Sequence, residues 1–197
     1  NPVNTKKQTY LQGFMLYGYS EYFRASGDLR ALQRAREFFR LIEQHKDNLY
    51  GGYFEAFTRD WHPIDDMRLS EKDANEKKSM NTHLHILEAY TNLLKVWRNE
   101  ELIAAQKRLT DIFTDQILDP QTHHLHLFFD EAWNRKSSSI SYGHDIEAAW
   151  LLHEAVEVAG DREREEKIKP IILHIAEAAL EGLDTDGGLN YEQEGDH

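Results

Sequence analysis

Apolar residues recur at helical spacing in six segments of the chain, and these segments come in pairs. In the first segment, residues 6–25, Tyr10, Phe14 and Tyr17 share one helical face. The same periodicity predicts helices over residues 29–45, 80–96, 102–117, 145–158 and 167–180. Two of the breaks within pairs are near copies, SGDLR at residues 26–30 and AGDRE at residues 159–163. In both, Gly suits a left-handed helix end and Asp suits the cap of the next helix, so each pair is predicted to be a helical hairpin.

A short aromatic or glycine-rich segment of extended character follows the second helix of each hairpin, at residues 49–55, 125–131 and 187–192. The chain is therefore predicted to repeat one unit three times, over about residues 1–60, 61–135 and 136–197. Such units stack into an open solenoid or close into a ring, and in both cases the loops gather at one end, where binding sites concentrate.

A closed ring of six hairpins needs about twice this length. We therefore predict an all-α fold, an α/α toroid of the (α/α)6-barrel type with three of its six hairpins and short β-like segments. The first and last hairpins are then expected to expose apolar faces, through which self-association is predicted. The alternative is a self-sufficient three-hairpin protein.

Charge and composition narrow the range of partners. The 197 residues carry 23 basic and 35 acidic side chains, a net charge of −12, which disfavours nucleic acids and anionic membranes and is compatible with a neutral sugar. The chain has no cysteine, so disulfides and thiolate chemistry are excluded. Without a long apolar stretch or a signal-peptide pattern, a cytoplasmic location is expected.

Two predicted helix starts carry candidate chemistry. Asn81 and His85 are four residues apart and share one helical face, where they would offer donors and acceptors to sugar hydroxyls or simply line a helix start. Glu147 lies one turn after His144, so it is predicted to hydrogen-bond the imidazole or sit beside it and raise its basicity. Trp150, a further turn on, could offer a flat face to a sugar ring. The alternative is a helix start at which acidic residues favour the positive end of the dipole.

Other polar clusters are interpreted as structural. His123, His124 and His126 suggest zinc together with His83 and His85, but without cysteine or an HExxH motif a surface loop is favoured. Trp61 and Trp133 are interpreted as packing at the rim. Residues 71–78 are interpreted as a solvated linker.

Two long motifs carry a family resemblance, KSMNTHLH at residues 78–85 and SYGHDIEAAWLL at residues 141–152. With GGYFE at residues 51–55 and LFFD at residues 127–130, they resemble the cellobiose 2-epimerases of the N-acylglucosamine 2-epimerase superfamily along essentially the whole chain. The resemblance implies an (α/α)6 barrel that inverts C2 of the reducing-end glucose of cellobiose or lactose, with no metal, nucleotide or other cofactor.

The resemblance also implies roles for individual residues. His144 matches one of two acid/base histidines, Glu147 supports it, and Trp150 is an adjacent aromatic. Asn81 and His85 match residues that contact the sugar and assist ring opening, and Tyr10 lies in a segment that lines the site. Histidine suits the chemistry because its pKa lies near the working pH, and removing the C2 proton gives an enediolate.

The matched pattern is incomplete. The family's second histidine, which serves the opposite face of the sugar, falls downstream of His197, and its carbonyl-polarising arginine falls upstream of Asn1. We therefore expect the chain by itself to have little or no epimerase activity. The alternatives are an aldose–ketose isomerase, an N-acylglucosamine or mannose 2-epimerase, and a noncatalytic carbohydrate-binding helical module.

Overall fold

Three helical hairpins make up the computed structural model, which describes residues 4–71 and 73–194. The elements in chain order are β1 (Lys7–Gln8), α1 (Thr9–Ser26), α2 (Leu29–Gln44), β2 (Ala56–Phe57), β3 (Lys78–Ser79), α3 (Met80–Leu94), α4 (Glu100–Ile112), β4 (Phe128–Phe129), β5 (Ile140–Ser141), α5 (Tyr142–Ala159), α6 (Arg162–Ala179) and β6 (Glu192–Gln193). A π-helical turn, Phe113–Ile117, follows α4, and a 3-10 turn, Leu180–Gly182, follows α6.

Each hairpin is closed by a two-stranded antiparallel sheet. The strand in front of its first helix pairs with the strand behind its second, so that Gln8 lies opposite Ala56, Ser79 opposite Phe128, and Ser141 opposite Glu192. The strands in front of the first helices are too short to show a hydropathy pattern, and the periodicity did not predict them. They give the three hairpins a common register, in which Gln8, Ser79 and Ser141 are equivalent positions directly before α1, α3 and α5.

Capping residues explain where the helices begin and end. Gly27 and Gly160 both adopt φ near +72°, which ends α1 and α5 as predicted. Asp28, Asn99 and Asp161 each accept a backbone N–H with their side chain, and so start α2, α4 and α6.

Three predicted starts were too late, that of α4 by only two residues, since it begins at Glu100 rather than at residue 102. Helix α6 begins at Arg162 rather than at residue 167, because its charged first turn carries no apolar periodicity but is capped by Asp161. Helix α5 begins at Tyr142 rather than at residue 145, directly after strand β5.

The first helices of the hairpins pack side by side in the order α1, α3, α5, and the second helices cover their backs. Helix α3 is in the middle and is buried along nearly its whole length, with Leu84, Leu87 and Tyr90 in the core. Up to its last turn, α3 leaves a few residues partly exposed. Among them are Asn81, His85 and Glu88, which form one stripe along the helix. No helix in the part of the chain that the structure describes is both long and apolar enough to cross a bilayer.

Lys78 corrects the prediction of a solvated linker over residues 71–78. Its side chain is 0% exposed, and its ammonium group donates to Asp47 Oδ2 at 2.8 Å and to the carbonyls of Gly51 and Glu131 at 2.6 and 2.7 Å. The ammonium also lies 4.6 Å from the ring centre of Trp133. A charge run predicts solvation only where no partners converge on one of its members, and here two loops converge on Lys78.

The first and last hairpins expose large apolar side chains, as expected. On α1 these are Leu11, Phe14, Met15 and Tyr22, and on the third hairpin they are Ile146, Trp150, Leu173, Leu180, Leu183, Leu189 and Tyr191.

Candidate functional site

His144 lies in the first turn of α5, and its hydrogen bonds define which ring nitrogen is free. Its Nδ1 lies 2.8 Å from Ser141 Oγ, and that hydroxyl points at the carbonyl of Tyr191, 3.5 Å away. If the hydroxyl donates to the carbonyl, it accepts from Nδ1–H, which leaves the Nε2 lone pair as the acceptor. The ring of Tyr191 also packs beside the imidazole, with centroids 5.8 Å apart.

The pKa of His144 is lowered from its ordinary value, mainly because burial disfavours the imidazolium. The charge of Glu147 acts in the opposite direction, and nearby His85 lowers the pKa further. The predicted effect of Glu147 on basicity is thus present but outweighed by burial. The predicted hydrogen bond is replaced, among the described residues, by the bond to Ser141. A neutral imidazole at neutral pH is a proton acceptor, which is the state that a general base requires.

His85 is the centre of an aromatic and acidic group on α1 and α3. Its Nδ1 lies 2.9 Å from Glu88 Oε2, one turn along α3. The rings of Tyr10 and Phe14 pack against its imidazole with centroids 5.1 and 5.0 Å away. Asn81 lies one turn before His85, as the spacing predicts, and lines a small cavity of about 30 Å³ with Glu55, Arg68 and Asp73.

Electrostatics links the three first helices into one face. Burial raises the pKa of Tyr10, and the charges of Glu147 and Glu88 raise it further, so groups on α1, α3 and α5 lie close enough to interact. We call this surface the inner face, formed by Tyr10, Phe14, Asn81, His85, Glu88, His144, Glu147 and Tyr191. It joins five of the six predicted site residues, the exception being Trp150.

Trp150 lies on α5 one turn beyond Glu147, and it is 60% exposed. Within the described residues its indole packs against no other aromatic ring, and no cationic side chain lies over it. It is therefore open to solvent at the edge of the inner face, and its role in sugar binding stays a prediction.

Sequence reasoning missed several residues of the inner face, and it missed Ser141, which holds His144 from beside that face. Glu88 repeats on α3 the spacing of Glu147 after His144, which is a signal that the sequence offers. Ser141 and Tyr191 are brought to His144 by the pairing of β5 with β6, and no local pattern predicts that contact.

Two of the remaining histidines are structural, and one of them corrects a prediction. His83 is fully buried, with Nε2 accepting from Tyr53 N–H at 2.9 Å and Nδ1–H donating to the carbonyl of Ser79, and burial lowers its pKa to about 4. His124 is not in a surface loop but is buried, and its Nδ1 lies 2.7 Å from Asp145 Oδ2. His83 therefore joins the first hairpin to the second, and His124 joins the second hairpin to the third.

Trp61 and Trp133 pack at the rim, in line with their interpretation from sequence. The Trp133 indole N–H donates to the carbonyl of Tyr50, and its ring packs on His83 and Phe129. Trp61 stacks on His45 with centroids 4.0 Å apart.

Helical hairpins that pack side by side, with polar side chains gathered at one end of their first helices, define an α/α architecture, and comparisons with known proteins identify the family. The sequence model of the N-acylglucosamine 2-epimerase family matches residues 1–195. The chain belongs to this family.

Among curated relatives, a protein named cellobiose 2-epimerase from Bacteroides fragilis is 55% identical over 193 residues, covering 98% of this chain and 49% of the relative. The cellobiose 2-epimerase of Ruminococcus albus is 39% identical, with the same coverage. The chain thus spans about half the length of the relatives it matches.

Solved structures agree. A sugar epimerase from a ruminal bacterium superposes with a TM-score of 0.94 at 39% identity, over 100% of this chain and 50% of that one. The cellobiose 2-epimerase of Bacillus thermoamylovorans superposes with a TM-score of 0.92 at 37% identity, over 98% and 50%. The three hairpins are therefore part of an (α/α)6 barrel, as the sequence predicted.

Proposed function

We propose that this chain supplies the sugar-binding face and one acid/base group of a sugar 2-epimerase. The reaction inverts C2 of the reducing-end glucose of a β-1,4-linked disaccharide such as cellobiose or lactose. The observation that carries the proposal is His144, a partly buried imidazole with a lowered pKa and an Nδ1 occupied by Ser141, placed on a face with Asn81 and His85.

The chemistry requires an open-chain sugar, because its C2 proton is acidic only beside a free carbonyl. His85, polarised by Glu88 at 2.9 Å, is suited to move a proton during ring opening, and Asn81 can bind a hydroxyl through its amide. Neutral His144 then removes the C2 proton through Nε2, giving an enediolate. Return of a proton to the other face completes the inversion, and this needs a second acid on the opposite side of the sugar.

Glu147 and Tyr10 support these steps. The negative charge of Glu147 stabilises the imidazolium that forms when His144 takes up the proton. Tyr10 packs edge-on against His85 and holds the ring in place. Trp150 is available at the rim to stack on a sugar ring.

A segment exchange tests the proposal. This chain would replace the 193 matched residues of the Bacteroides fragilis relative, and the hybrid would be incubated with lactose in heavy water. We expect deuterium at C2 and the 2-epimer as product by NMR, with both lost in the His144→Asn hybrid. A ketose product would point to an aldose–ketose isomerase, and binding without exchange to a noncatalytic module; either result would contradict the proposal. The chain alone is expected to show little or no exchange in the same assay.

A further inference from the structure

Ser79 and Ser141 occupy the same position in successive repeats, yet their hydroxyl groups have different partners. Each is the last residue of a short strand and directly precedes a first helix, α3 or α5. Ser79 Oγ accepts the backbone N–H of Thr82 at 3.1 Å, which is the ordinary capping bond of a serine at a helix start. Within the described residues of α5, Ser141 caps no backbone N–H, and its Oγ lies 2.8 Å from Nδ1 of His144 instead.

Local backbone geometry does not explain the missing cap of α5. Both serines have an extended backbone, with φ −130° and ψ 152° at Ser79 and φ −120° and ψ 97° at Ser141. Serine is among the best capping residues, and a helix loses stability without its cap. The contact of Ser141 with His144 therefore takes the place of a bond that would stabilise the helix.

The second partner of Ser141 is a backbone carbonyl that strand pairing brings to it. Because β5 pairs with β6, Ser141 lies opposite Glu192, and the carbonyl oxygen of Tyr191 lies 3.5 Å from Ser141 Oγ. The N–H of Gly143 donates to the same carbonyl at 3.4 Å. Ser141 is 0% exposed, so bulk water does not compete for its hydroxyl, and the imidazole and the carbonyl are the partners that must satisfy it.

These two partners decide where the hydroxyl hydrogen points. A hydroxyl has one hydrogen to donate, and a carbonyl oxygen can only accept. If the hydrogen pointed to Nδ1 of His144, the oxygens of Ser141 and Tyr191 would face each other with no hydrogen between them. If it points to the carbonyl, Ser141 Oγ accepts Nδ1–H, and both contacts are hydrogen bonds. The second arrangement satisfies the buried group, and it puts the imidazole hydrogen on Nδ1.

We propose that Ser141 is a positioning residue for His144, which holds the neutral imidazole in the form protonated on Nδ1 and so keeps the Nε2 lone pair free for the sugar. This inference rests on the proposed function, in which Nε2 removes the C2 proton. The bond to Ser141 persists when Nε2 takes up that proton, because Nδ1 carries its hydrogen in both the neutral and the protonated ring. Ser141 thus holds the ring throughout the reaction without exchanging a proton itself.

The ring form of His144 matters because an imidazole without such a partner favours the other one. In water a neutral histidine side chain carries its hydrogen mainly on Nε2. In that form Nε2 is a donor, and it cannot act as the base. Loss of the Ser141 hydroxyl is therefore expected to reduce the fraction of His144 that is able to remove the C2 proton.

Nitrogen NMR of the chain with isotope-labelled histidine tests the ring form independently of any epimerase activity. The shifts of the two ring nitrogens show which of them carries the hydrogen, and His144→Asn identifies the His144 signals by their loss. At a pH where the ring is neutral, we expect the hydrogen on Nδ1. Ser141→Ala should move it mainly to Nε2, whereas Ser141→Thr keeps the hydroxyl and should keep it on Nδ1.

Ser79→Ala is the matched control, because it removes the equivalent hydroxyl from α3. It should lower the urea midpoint of unfolding through loss of the cap and leave the His144 signals unchanged. In the segment-exchanged enzyme, Ser141→Ala should lower kcat for C2 exchange by about tenfold or more with little change in KM, because the fraction of active base falls.

The possible failures are distinguishable. His144 with its hydrogen on Nε2 in the unaltered chain, or on Nδ1 in Ser141→Ala, would overturn the role of Ser141. A raised KM with unchanged kcat in Ser141→Ala would also overturn it. An inactive segment-exchanged enzyme would contradict the proposed function, while the expected NMR signals would still support the control of the ring form by Ser141.

Discussion

Helices α3 and α5 begin in the same way and use the same positions for different purposes. Each starts after a short strand that ends in serine, Ser79 or Ser141. Three residues on, α3 has Thr82, which is fully buried and donates its hydroxyl to Glu55 Oε2 at 2.7 Å. At the equivalent position α5 has His144, which is only partly buried and belongs to the inner face. One scaffold position thus serves helix docking in one repeat and carries the candidate base in the next.

At the next position of each helix the opposite holds, because two different residue types have the same structural role. His83 and Asp145 differ in chemistry, yet both are buried and both accept a backbone N–H from the turn of the preceding hairpin. Residue type is therefore a poor guide to function in this repeat. A histidine is structural at one position and chemically available at its neighbour, and burial with its hydrogen-bond partners makes the difference.

The largest expected effect is the loss of C2 exchange on replacing His144, and replacement of the equivalent Thr82 should not cause it. In the segment-exchanged enzyme, His144→Asn should lower kcat/KM for C2 exchange by about 10²- to 10⁴-fold, because a general base is lost, with little change in stability. Thr82→Val should leave the rate nearly unchanged and lower the free energy of unfolding by about 1–3 kcal/mol, because Glu55 loses a donor. Deuterium exchange and urea unfolding measure the two effects, and equal rate losses in both variants would contradict the comparison.

The next largest effect concerns Lys78, the residue directly before Ser79. The equivalent residue, directly before Ser141, is Ile140. Lys78→Met should destabilise the chain by about 3–5 kcal/mol, because Asp47 keeps its charge in a buried place without its cation. The control is Lys7→Met at the equivalent position before α1. There the ammonium lies 5.7 Å from the Trp61 ring, and the change should stay within about 0.5 kcal/mol. Similar losses in the two variants would contradict the assignment of Lys78 as a buried contact.

Two buried groups at the start of α3 should give opposite pH dependences of stability. Burial lowers the pKa of His83 to about 4, below its unfolded value, so its contribution is present above about pH 6.5 and lost as pH falls towards 4. Burial raises the pKa of Glu55 to about 7, so its contribution is present below about pH 4.5 and lost as pH rises towards 7. Each amounts to on the order of 3 kcal/mol, and between pH 4.5 and 6.5 they should nearly cancel.

Variants separate these contributions. Relative to the unaltered chain, Glu55→Gln should make stability rise more steeply with pH over that interval, and His83→Gln should make it fall. Urea unfolding at several pH values measures the slopes. Parallel pH profiles for the two variants would rule out the assigned pKa shifts.

Periodicity predicted the six helices, and the spacing of Asn81 with His85 and of His144 with Glu147 predicted most of the inner face. These features are local, because residues three or four apart share a helical face whatever surrounds them. Periodicity and spacing did not predict the burial of Lys78 and His124. They also did not predict the contact of Ser141 with His144. Each depends on partners supplied by other segments, as Asp145 is for His124, and a single sequence shows no periodicity for such contacts.

The smallest effect concerns Glu147, whose charge opposes the burial of His144. Glu147→Gln removes that charge, so the pKa of His144 should fall further and the acid limb of the kcat/KM profile should move to lower pH by roughly half a unit. The direction follows because the base is active only when deprotonated, and a lower pKa keeps it deprotonated in more acidic solution. Glu157→Gln on the same helix is the matched control, since Glu157 does not contribute to the lowered pKa and its profile should be unchanged. A shift to higher pH in Glu147→Gln would mean that Glu147 does not act on His144 through its charge.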